Sequence, residues 1–329
     1  MANMASLFVE QRRGFAEHGV VEAVHAVDAV ACDADGHVRV LCGSDLVTTL
    51  RSAAKPFQLA VSSERLDTAV REQLSSAELA LGAASHHGER FHVAAVERLL
   101  QHLGVGERQL LCGAHPPTHA ASAQALFARG EQPRAIHNNC AGKHTFMAAA
   151  VRARAEAADY RPLQHPLQQA IAELVARCAG SSAVHAVVDG CGVPCFALPL
   201  SGMARAYATL AREAHADGSP LGTIGRAMRE HPLLVSGSEA FDGWLMEHAP
   251  VIAKVGALGL LCIAWPAQGL GLAIKIRSGS ELARAPATHA LLRSHFPALA
   301  VAELPTRFYA VANVVGDLVG EIVTRSEAD

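Results

Sequence analysis

A serine and a lysine stand three residues apart in the segment RSAAKPFQ, as Ser52 and Lys55. Residues at positions i and i+3 share one face of a helix, so the hydroxyl and the amine can meet. Serine–lysine pairs of this spacing act as nucleophile and base in some hydrolases. Two interpretations are open. In the first, Lys55 is half buried against the apolar run PFQLAV and has a lowered pKa. In the second, an ordinary helix begins near Pro56 and the lysine lies at the surface.

Cysteine and lysine have the same spacing in the polar segment HNNCAGKH, as Cys140 and Lys143. A neighbouring lysine favours a thiolate, and a neutral lysine can also ligate a metal. A second cysteine, Cys191, lies on the glycine-flanked segment DGCGVPC, two positions after Asp189. Glycines allow another group to approach the backbone closely. These residues are candidate metal ligands or nucleophiles, and the alternative is a pair of ordinary buried thiols.

The segment ASHHGERFH combines Ser85 with three histidines and Glu89. Histidine and glutamate bind metals, but the ligand spacing of zinc proteases is absent. The simpler interpretation makes Ser85 a helix N-cap, with Glu89 early in the following helix.

One further lysine, Lys275, interrupts the apolar strand of GLGLAIKIRSG, and its amine must reach a polar partner. It is either a gatekeeper on an edge strand or a desolvated base that faces a site.

The whole chain has the composition of a protein with a large core. Its 329 residues are 50 % hydrophobic and 18 % charged, and the mean hydropathy is +0.20. We expect a single catalytic unit over residues 1–329, or two intimate lobes, with additional buried surface such as a dimer interface. The net charge of −3 gives no reason to expect a nucleic acid or an acidic membrane as a partner.

The location of the protein is predicted from two further features. No run of about 18 apolar residues is free of charges, so no transmembrane helix is expected. The N-terminal segment carries Glu10, Arg12 and Arg13 where a signal peptide needs apolar residues. We therefore expect a cytoplasmic protein, whose eight cysteines are thiols, metal ligands or nucleophiles rather than a disulfide framework.

Alternating hairpins and helices predict an α/β (α+β) fold with an antiparallel-rich sheet packed with helices. Asp35 and Gly36 separate two apolar runs and predict a hairpin. Helices are expected on both sides of SHHGE and after HNNCAGKH. The segment VIAKVGALGLLCIAWPAQGLGLAIKIRSG predicts two strands joined by residues 266–269, and RFYAVANVVGDLVGEIV predicts a further strand.

Seven segments together resemble one family, the L-asparaginases of the rhizobial type, also called the asparaginase II family. In chain order they are RSAAKPFQ, ALGAASHHGERFHVAAVERLL, HNNCAGKHTFM, HPLQQAI, VVDGCGVPCFALPLSGMARA, AKVGALGL and GLGLAIKI. Each segment alone is a weak signal, but seven in family order, across about residues 8–285, are specific.

The resemblance implies a fold like that of serine β-lactamases, penicillin-binding proteins and glutaminases. It implies hydrolysis of L-asparagine to L-aspartate and ammonia, by a homodimer. It also implies two serine–lysine pairs that face one pocket, Ser52 with Lys55 and Ser85 with Lys275, and this replaces the N-cap interpretation of Ser85.

A metal close to the serines, usually zinc, is also implied by the resemblance. The implied ligands are Cys140, Lys143 and Cys191. The residues implied around the metal and its water are Asp189, His144 and Cys262.

Three positions depart from the family pattern. Ala141 stands where a serine is common after the first ligand cysteine, and Leu258 stands where the family segment GAEG has a glutamate. The segment SEAFDG, residues 238–243, lacks the arginine of the usual family segment. None of these changes touches the serine–lysine residues or the ligands, but they leave substrate choice open.

We predict an amidohydrolase in which a lysine activates a serine. An ammonium cannot accept a proton, so at least one lysine must be neutral for part of the cycle. We take Ser52 as the nucleophile and Ser85 as a relay, and the reverse order is the alternative. Arg51 is a candidate for binding a substrate carboxylate, with solvation at the surface as its alternative. Gly192 is a candidate substrate-binding position.

Two other functions compete with this prediction. One is an amidase for glutamine or another small amide, which the missing arginine of SEAFDG keeps open. The other is a metal-binding or sensing protein without turnover, against which the retention of both serine–lysine pairs argues.

Overall fold

The computed structural model describes residues 6–326. The predicted catalytic unit of residues 1–329 also includes residues 1–5 and 327–329, which lie outside the described residues. The described part contains eleven strands: β1 (Leu7–Arg13), β2 (Val20–Cys32), β3 (Val38–Cys42), β4 (Val47–Thr49), β5 (His185–Val188), β6 (Pro194–Pro199), β7 (Ile252–Gly256), β8 (Leu260–Trp265), β9 (Leu270–Ile276), β10 (Ala310–Ala312) and β11 (Leu318–Ser326).

Twelve α-helices lie in the same range: α1 (Lys55–Glu64), α2 (Thr68–Arg71), α3 (Ser76–Gly82), α4 (Arg90–His102), α5 (Ala120–Ala128), α6 (Ala141–Ala153), α7 (Pro166–Ala179), α8 (Leu200–His215), α9 (Pro220–Glu230), α10 (Pro232–Val235), α11 (Phe241–His248) and α12 (Arg284–His295). A 3₁₀ turn, Arg51–Ala54, leads directly into α1. Among these helices, none is both long and apolar enough to cross a membrane.

The larger sheet has the strand order β10-β11-β1-β2-β9-β8-β7, and β3 also pairs with β2. Neighbouring strands of this sheet are antiparallel. The central strand β9 is buried on both faces along residues 271–276, with α8 and α12 packed against it. The predicted α+β architecture, an antiparallel sheet packed with helices, is confirmed.

The predicted hairpin at Asp35 and Gly36 is confirmed, since β2 and β3 pair on either side of it. Asp33 Oδ1 accepts hydrogen bonds from the backbone N–H groups of Asp35 at 3.0 Å and His37 at 2.9 Å. Gly36 has φ 85°, a conformation that glycine adopts without steric cost.

The segment predicted to form two strands forms three, so that prediction is wrong. An additional hairpin turn separates β7 from β8, with Leu258 at φ 60° and Gly259 at φ 74°. Two consecutive residues with positive φ are typical of the tight turn that suits a twisted hairpin. Leucine rarely adopts this conformation, so sequence patterns did not predict the turn. The tail likewise forms two strands, β10 and β11, rather than one.

A smaller antiparallel sheet has the order β4-β6-β5. Its strand β4 leads into the 3₁₀ turn that carries Ser52, and its β5–β6 hairpin carries Cys191 in the connecting turn. Pairing of Thr49 with Ala197 therefore brings two distant candidate segments toward each other.

The docking of α8 onto the large sheet generates the first prediction. A Cβ atom at Gly271 would lie 2.0 Å from the Ala204 carbonyl oxygen and 2.2 Å from the Ala208 backbone nitrogen, both in α8. We expect Gly271→Ala to lower the free energy of unfolding by at least about 2 kcal/mol, measured by urea denaturation, because α8 must move away from β9.

Gly106→Ala is the matched control. Gly106 has φ −80° and an added Cβ would have its nearest neighbour at 3.6 Å. We expect this control to change stability by less than about 1 kcal/mol. Equal stability of the two variants would contradict the inferred close packing of α8.

Candidate active site

Lys55 is a buried amine that faces three oxygen atoms. It is 1 % exposed at the start of α1. Its Nζ lies 2.5 Å from the Ala84 carbonyl oxygen, 2.8 Å from Ser85 Oγ and 3.1 Å from the Asn139 carbonyl oxygen. The interpretation that left Lys55 at the surface is therefore wrong.

These three contacts limit what a neutral Lys55 can do. A carbonyl oxygen only accepts hydrogen bonds, so each of the two carbonyl groups takes one N–H of Nζ. A neutral amine has two N–H groups and one lone pair, which leaves the lone pair for the hydroxyl proton of Ser85. Burial lowers the pKa of Lys55, and nearby Lys143 lowers it further, although Cys140 opposes the shift. The geometry therefore suits a base that receives the Ser85 proton.

Ser85 lies in the loop that follows α3. Its backbone N–H donates to the Val235 carbonyl oxygen at 2.8 Å, which fixes the loop against α10. The N-cap interpretation is wrong, because α4 begins at Arg90 and Glu89 is the residue before it. Glu89 instead accepts hydrogen bonds from the backbone N–H and the hydroxyl of Ser238, at 2.9 and 2.8 Å.

The serine–lysine contacts differ from the implied pairs. Lys55 hydrogen-bonds Ser85, and Ser52 is not among the partners of Lys55 Nζ in the described part of the chain. Lys275 donates to the Leu258 carbonyl oxygen. Its strand, β9, lies between β2 and β8, so the edge-gatekeeper interpretation is wrong. Burial lowers the pKa of Lys275, and neighbouring Arg51 contributes while Glu281 opposes.

Two sheets hold the turn that carries Ser52. Leu50 N–H extends the small sheet by donating to the Phe196 carbonyl oxygen at 2.8 Å. On the other side, a Cβ atom at Gly256 of β7 would lie 2.8 Å from the Leu50 carbonyl oxygen. Arg51, between Leu50 and Ser52, has φ 47°, a conformation that residues other than glycine generally avoid. The strain shows that the surroundings determine the shape of this turn.

Close helix packing brings the start of α6 to Lys55. A Cβ atom at Gly142 would lie 2.2 Å from the Leu81 carbonyl oxygen, and one at Gly82 would lie 2.7 Å from the Phe146 ring. Glycine at both positions lets α3 and α6 approach this closely. The residue pair Asn139 and Cys140, which precedes α6, consequently lies beside Lys55.

The three predicted metal ligands lie together. Lys143 Nζ is 3.2 Å from Cys191 Sγ, and Cys140 lies three residues before Lys143, at the start of α6. The neighbouring Cys191 thiol lowers the pKa of Cys140, with help from Lys55 and Lys143 against the effect of burial. The neighbouring Cys140, together with burial, raises the pKa of Cys191. Burial would lower the pKa of Lys143, but the two thiol groups raise it above its ordinary value.

A metal ion fits this donor set chemically. Two thiolates and one nitrogen are ligands that zinc accepts in a tetrahedral site, with a fourth position left for water. His144 provides a separate observation: its ring is 0 % exposed, Nδ1 lies 2.9 Å from the Tyr160 hydroxyl, and Nε2 has no hydrogen-bond partner among residues 6–326. Burial lowers the pKa of His144 well below its ordinary value, so the ring is neutral. A metal-bound water would give this orphaned nitrogen a partner.

Asp189 connects the turn of Cys191 to the turn of Ser52. Its Oδ2 lies 3.9 Å from Cys191 Sγ, and its Oδ1 lies 2.7 Å from Arg51 Nε. The Arg51 Nε–H is not aligned on the carboxylate as a hydrogen bond, so the contact is an ion pair. Arg51 is therefore ion-paired and partly exposed, and its role toward a substrate stays a prediction.

The two remaining predicted residues are Gly192, which lies at the surface, and Cys262, which lies in the core. Gly192, at φ 86° after Cys191, lines a surface cavity of about 460 Å³ together with Arg161. Cys262 is fully buried on β8, and together with burial it raises the pKa of Tyr207. The structure therefore places Cys262 beneath α8, where Tyr207 lies, and shows no contact with the other two thiols in the described residues.

Lys254 is a buried lysine that the sequence patterns did not single out. It is 0 % exposed, and its Nζ lies 3.5 Å from Oδ2 of the equally buried Asp242. Asp242 also accepts the Val255 backbone N–H at 3.0 Å. Burial lowers the pKa of Lys254 to about 8, with Lys55 contributing and Asp242 opposing. A signal was available, because Lys254 interrupts an apolar strand as Lys275 does.

Strand register places Lys254 and Lys275 on one face of the large sheet. Lys254 pairs with Cys262, and Lys275 pairs with Leu260. Residues 260 and 262 share a face because side chains alternate along a strand. The chain has four lysines and all are buried: Lys55, Lys143, Lys254 and Lys275.

The histidines of ASHHGERFH do not form a metal site with Glu89. Within residues 6–326, the group of three such ligands whose atoms lie within 4.8 Å of one another is Asp33, Asp35 and His37. These are the polar residues of the exposed β2–β3 turn, where Asp33 already binds backbone N–H groups.

A comparison with known protein families agrees with the resemblance found in the sequence motifs. The model of the family L-asparaginase II matches residues 10–323, nearly the whole chain. None of the curated proteins matches the sequence.

Solved structures give distant similarities. Mglu in its native form in the presence of 4.3 M NaCl has a TM-score of 0.40 and 17 % identity, over 85 % of this chain and 63 % of Mglu, so the chain spans about 63 % of the length of that protein. The Bacillus subtilis glutaminase YbgJ, in covalent complex with 5-oxo-L-norleucine, has a TM-score of 0.37 and 12 % identity, over 83 % of this chain and 88 % of YbgJ. No residue role follows from either.

The buried pair of Lys254 and Asp242 generates the second prediction. Removal of one partner leaves an unpaired buried charge, so we expect Lys254→Met or Asp242→Asn alone to lower the free energy of unfolding by about 3–5 kcal/mol. We expect the double variant to recover most of that loss, measured by urea denaturation at neutral pH. If the two single losses simply added in the double variant, the two side chains would not be coupled.

Proposed function

The chain belongs to the L-asparaginase II family, and we propose that it is an amidohydrolase that converts L-asparagine to L-aspartate and ammonia. Family membership supports a hydrolase that acts on amides. The observation that carries the proposal is the contact between Lys55 and Ser85. Two carbonyl oxygens occupy the N–H groups of a buried amine, and its remaining direction faces a hydroxyl.

The reaction begins at Ser85 in this proposal. Lys55 accepts the hydroxyl proton while Ser85 Oγ attacks the carbon of the side-chain amide. The tetrahedral intermediate collapses, Lys55 returns the proton to the leaving nitrogen, and ammonia departs. Water then attacks the resulting ester, again with Lys55 as the base, and aspartate is released. This assigns to Ser85 the role that the sequence interpretation gave to Ser52, because a nucleophile must lie within hydrogen-bond reach of its base.

Substrate orientation is assigned to Arg51 in this proposal. A guanidinium binds a carboxylate through two parallel hydrogen bonds. The side chain of Arg51 is 30 % exposed and lies beside the serine turn, so it is accessible from outside. Asp189 keeps the guanidinium in place in the protein without substrate.

Zinc is proposed as the bound metal, held by Cys140, Lys143 and Cys191. A bound zinc ion supplies positive charge that polarises or orients an oxygen ligand. Asp189 and His144 adjoin this group, one beside Cys191 Sγ and the other with an unpartnered Nε2. Lys143 must lose its proton to serve as a ligand, and the structure shows it instead beside a thiol.

A different small amide, such as glutamine, is the second candidate substrate. The observation that favours it is the altered segment SEAFDG, whose Asp242 is committed to Lys254 and to the β7 backbone. A non-catalytic sensor is disfavoured, since such a protein has no need for a buried amine held against a hydroxyl.

A homodimer is also proposed. Three valines in the first half of β2 are exposed, Val20, Val21 and Val24 at 68, 43 and 55 %. Exposed apolar residues of this kind suit an interface between subunits.

The third prediction tests catalysis. Ammonia release is measured with L-asparagine, L-glutamine and D-asparagine as substrates. We expect L-asparagine to be preferred, and we expect Lys55→Met and Ser85→Ala each to lose at least ~100-fold in kcat/KM while remaining folded by circular dichroism.

Ser62→Ala is the matched control for this experiment. Ser62 is a buried serine of α1 whose hydroxyl donates to the Gln58 carbonyl oxygen at 2.8 Å, away from Lys55. We expect near wild-type activity from it. A Ser85→Ala variant with full activity would transfer the nucleophile to Ser52, and release of ammonia from none of the three amides would end the asparaginase proposal.

The fourth prediction concerns the metal. Elemental analysis of the purified protein, after incubation with zinc and removal of excess, should give close to one zinc per chain. We expect Cys191→Ser to lose the metal because thiolate ligands select zinc, and Cys195→Ser, which alters a buried thiol of β6, to retain it. A wild-type protein that remains free of zinc would exclude the site.

A further inference from the structure

The carboxylate of Glu89 binds a distant segment instead of the helix that it precedes. Glu89 is the residue before α4, a position from which acidic side chains commonly accept a hydrogen bond from the first turn of their own helix. Within the described residues it makes no such bond. Its Oε1 accepts the Ser238 backbone N–H at 2.9 Å and its Oε2 accepts the Ser238 hydroxyl at 2.8 Å, from a residue 149 positions away.

Glu89 is an ionised group that the fold buries. The residue is 8 % exposed. Burial raises the pKa of the Glu89 carboxyl, but the hydrogen bonds from Ser238 outweigh this effect and hold the pKa below its ordinary value. A buried charge is unfavourable unless hydrogen bonds compensate for the lost water, so the contact with Ser238 determines where the carboxylate lies.

Gly237 lets the backbone approach this carboxylate closely. A Cβ atom at Gly237 would lie 2.8 Å from Glu89 Oε1 and 3.0 Å from His87 Nδ1. Gly237 also has φ 140°, a conformation that residues with a side chain rarely adopt. Residues 233–240, which contain most of α10 and lead into α11, are called the 233–240 segment below. Its shape at Gly237 matches the position of the Glu89 carboxylate.

The 233–240 segment also holds the loop of Ser85. The Ser85 N–H donates to the Val235 carbonyl oxygen at 2.8 Å, and His92 Nε2 lies 3.0 Å from the Leu233 carbonyl oxygen. The segment therefore contacts the stretch of residues 85–92 at three places, one of which is the Glu89 carboxylate. The Ser85 hydroxyl, 2.8 Å from Lys55 Nζ, lies at one end of this stretch.

We propose that Glu89 is a positioning residue for the amidohydrolase reaction: it holds the 233–240 segment against the loop of Ser85 and so keeps the Ser85 hydroxyl against Lys55. The inference rests on the proposed role of Ser85 as the nucleophile. Glu89 exchanges no proton with the substrate and does not touch it. Its effect comes from geometry alone, since a reacting group displaced by about 1 Å can cost ~100-fold in rate.

The test measures kcat and KM for ammonia release from L-asparagine with the full-length protein. We expect Glu89→Ala to lower kcat at least ~10-fold and to change KM less than ~3-fold, because the nucleophile is misplaced while the substrate site remains. Glu89→Gln should recover most of the lost kcat. Its amide oxygen can accept the Ser238 N–H, and its amide N–H can donate to the Ser238 hydroxyl oxygen. A purely structural role would lower the folded fraction without this division between kcat and KM.

Two further variants complete the set. Ser238→Ala removes one of the two hydrogen bonds at an exposed residue, so we expect it to fold and to lose less kcat than Glu89→Ala. Glu10→Ala is the matched control, since Glu10 is a buried carboxylate of β1, 6 % exposed, that accepts a hydrogen bond from Arg12 Nε at 3.0 Å. We expect it to lower stability but to keep kcat within ~3-fold of wild type, because its contacts lie within β1.

Hydrogen–deuterium exchange at the Ser85 amide tests the same contact without a substrate. The bond to the Val235 carbonyl oxygen protects this amide. We expect exchange at least ~10-fold faster in Glu89→Ala than in wild type, and protection restored in Glu89→Gln. If Glu89→Ala does not fold, Ser238→Ala decides with the same measurements.

The outcomes separate this inference from the proposed function. An unchanged kcat, or unchanged exchange at Ser85, in a folded Glu89→Ala protein overturns the positioning role while the proposed function stands. Full activity of Ser85→Ala overturns both, so that variant identifies which of the two has failed.

Discussion

The burial of four lysine amines is the constraint on which the arrangement of this protein depends. An ammonium group loses several kcal/mol of hydration when it leaves water, and only close partners or loss of the proton offset that cost. All four lysines of the chain are buried, so the basic side chains at its surface are those of arginine and histidine. Each amine has nearby oxygen or sulfur atoms, and these come from parts of the chain that are distant in sequence.

The fold supplies these partners through three different contacts. Glycine-mediated packing of α3 against α6 places the carbonyl and hydroxyl groups around Lys55. The turn of the β5–β6 hairpin delivers Cys191 to Lys143. The large sheet places Lys254 and Lys275 on the face that packs against α8. The same packing that stabilises the core therefore fixes the distances between the amines. A change in the packing around one amine would alter the electrostatic surroundings of the others.

The serine and thiol parts of the site are physically connected. Asp189 contacts both Cys191 and Arg51, and Lys143 and Cys140 affect the pKa of Lys55 in opposite directions. A loss of negative charge at Cys140 would lower the pKa of Lys55 further, because Cys140 opposes the effect of burial. The state of the thiol pair can therefore influence how readily Lys55 accepts a proton, although the two groups lie on different elements.

The sequence by itself determined the architecture, the family and most of the candidate residues, because these depend on local patterns. Turn residues and apolar periodicity predicted the β2–β3 hairpin and the helices around SHHGE, and the ordered motifs identified the family. Tertiary structure alone decided that Lys55 contacts Ser85, which lies thirty residues away in sequence. Spacing along a helix favoured Ser52 as its partner, but close approach of α3 and α6 through Gly82 and Gly142 outweighs that local preference. The turn at Leu258 and the pairing of Lys254 with Asp242 were likewise decided by strand pairing and burial, which act between residues far apart in the chain.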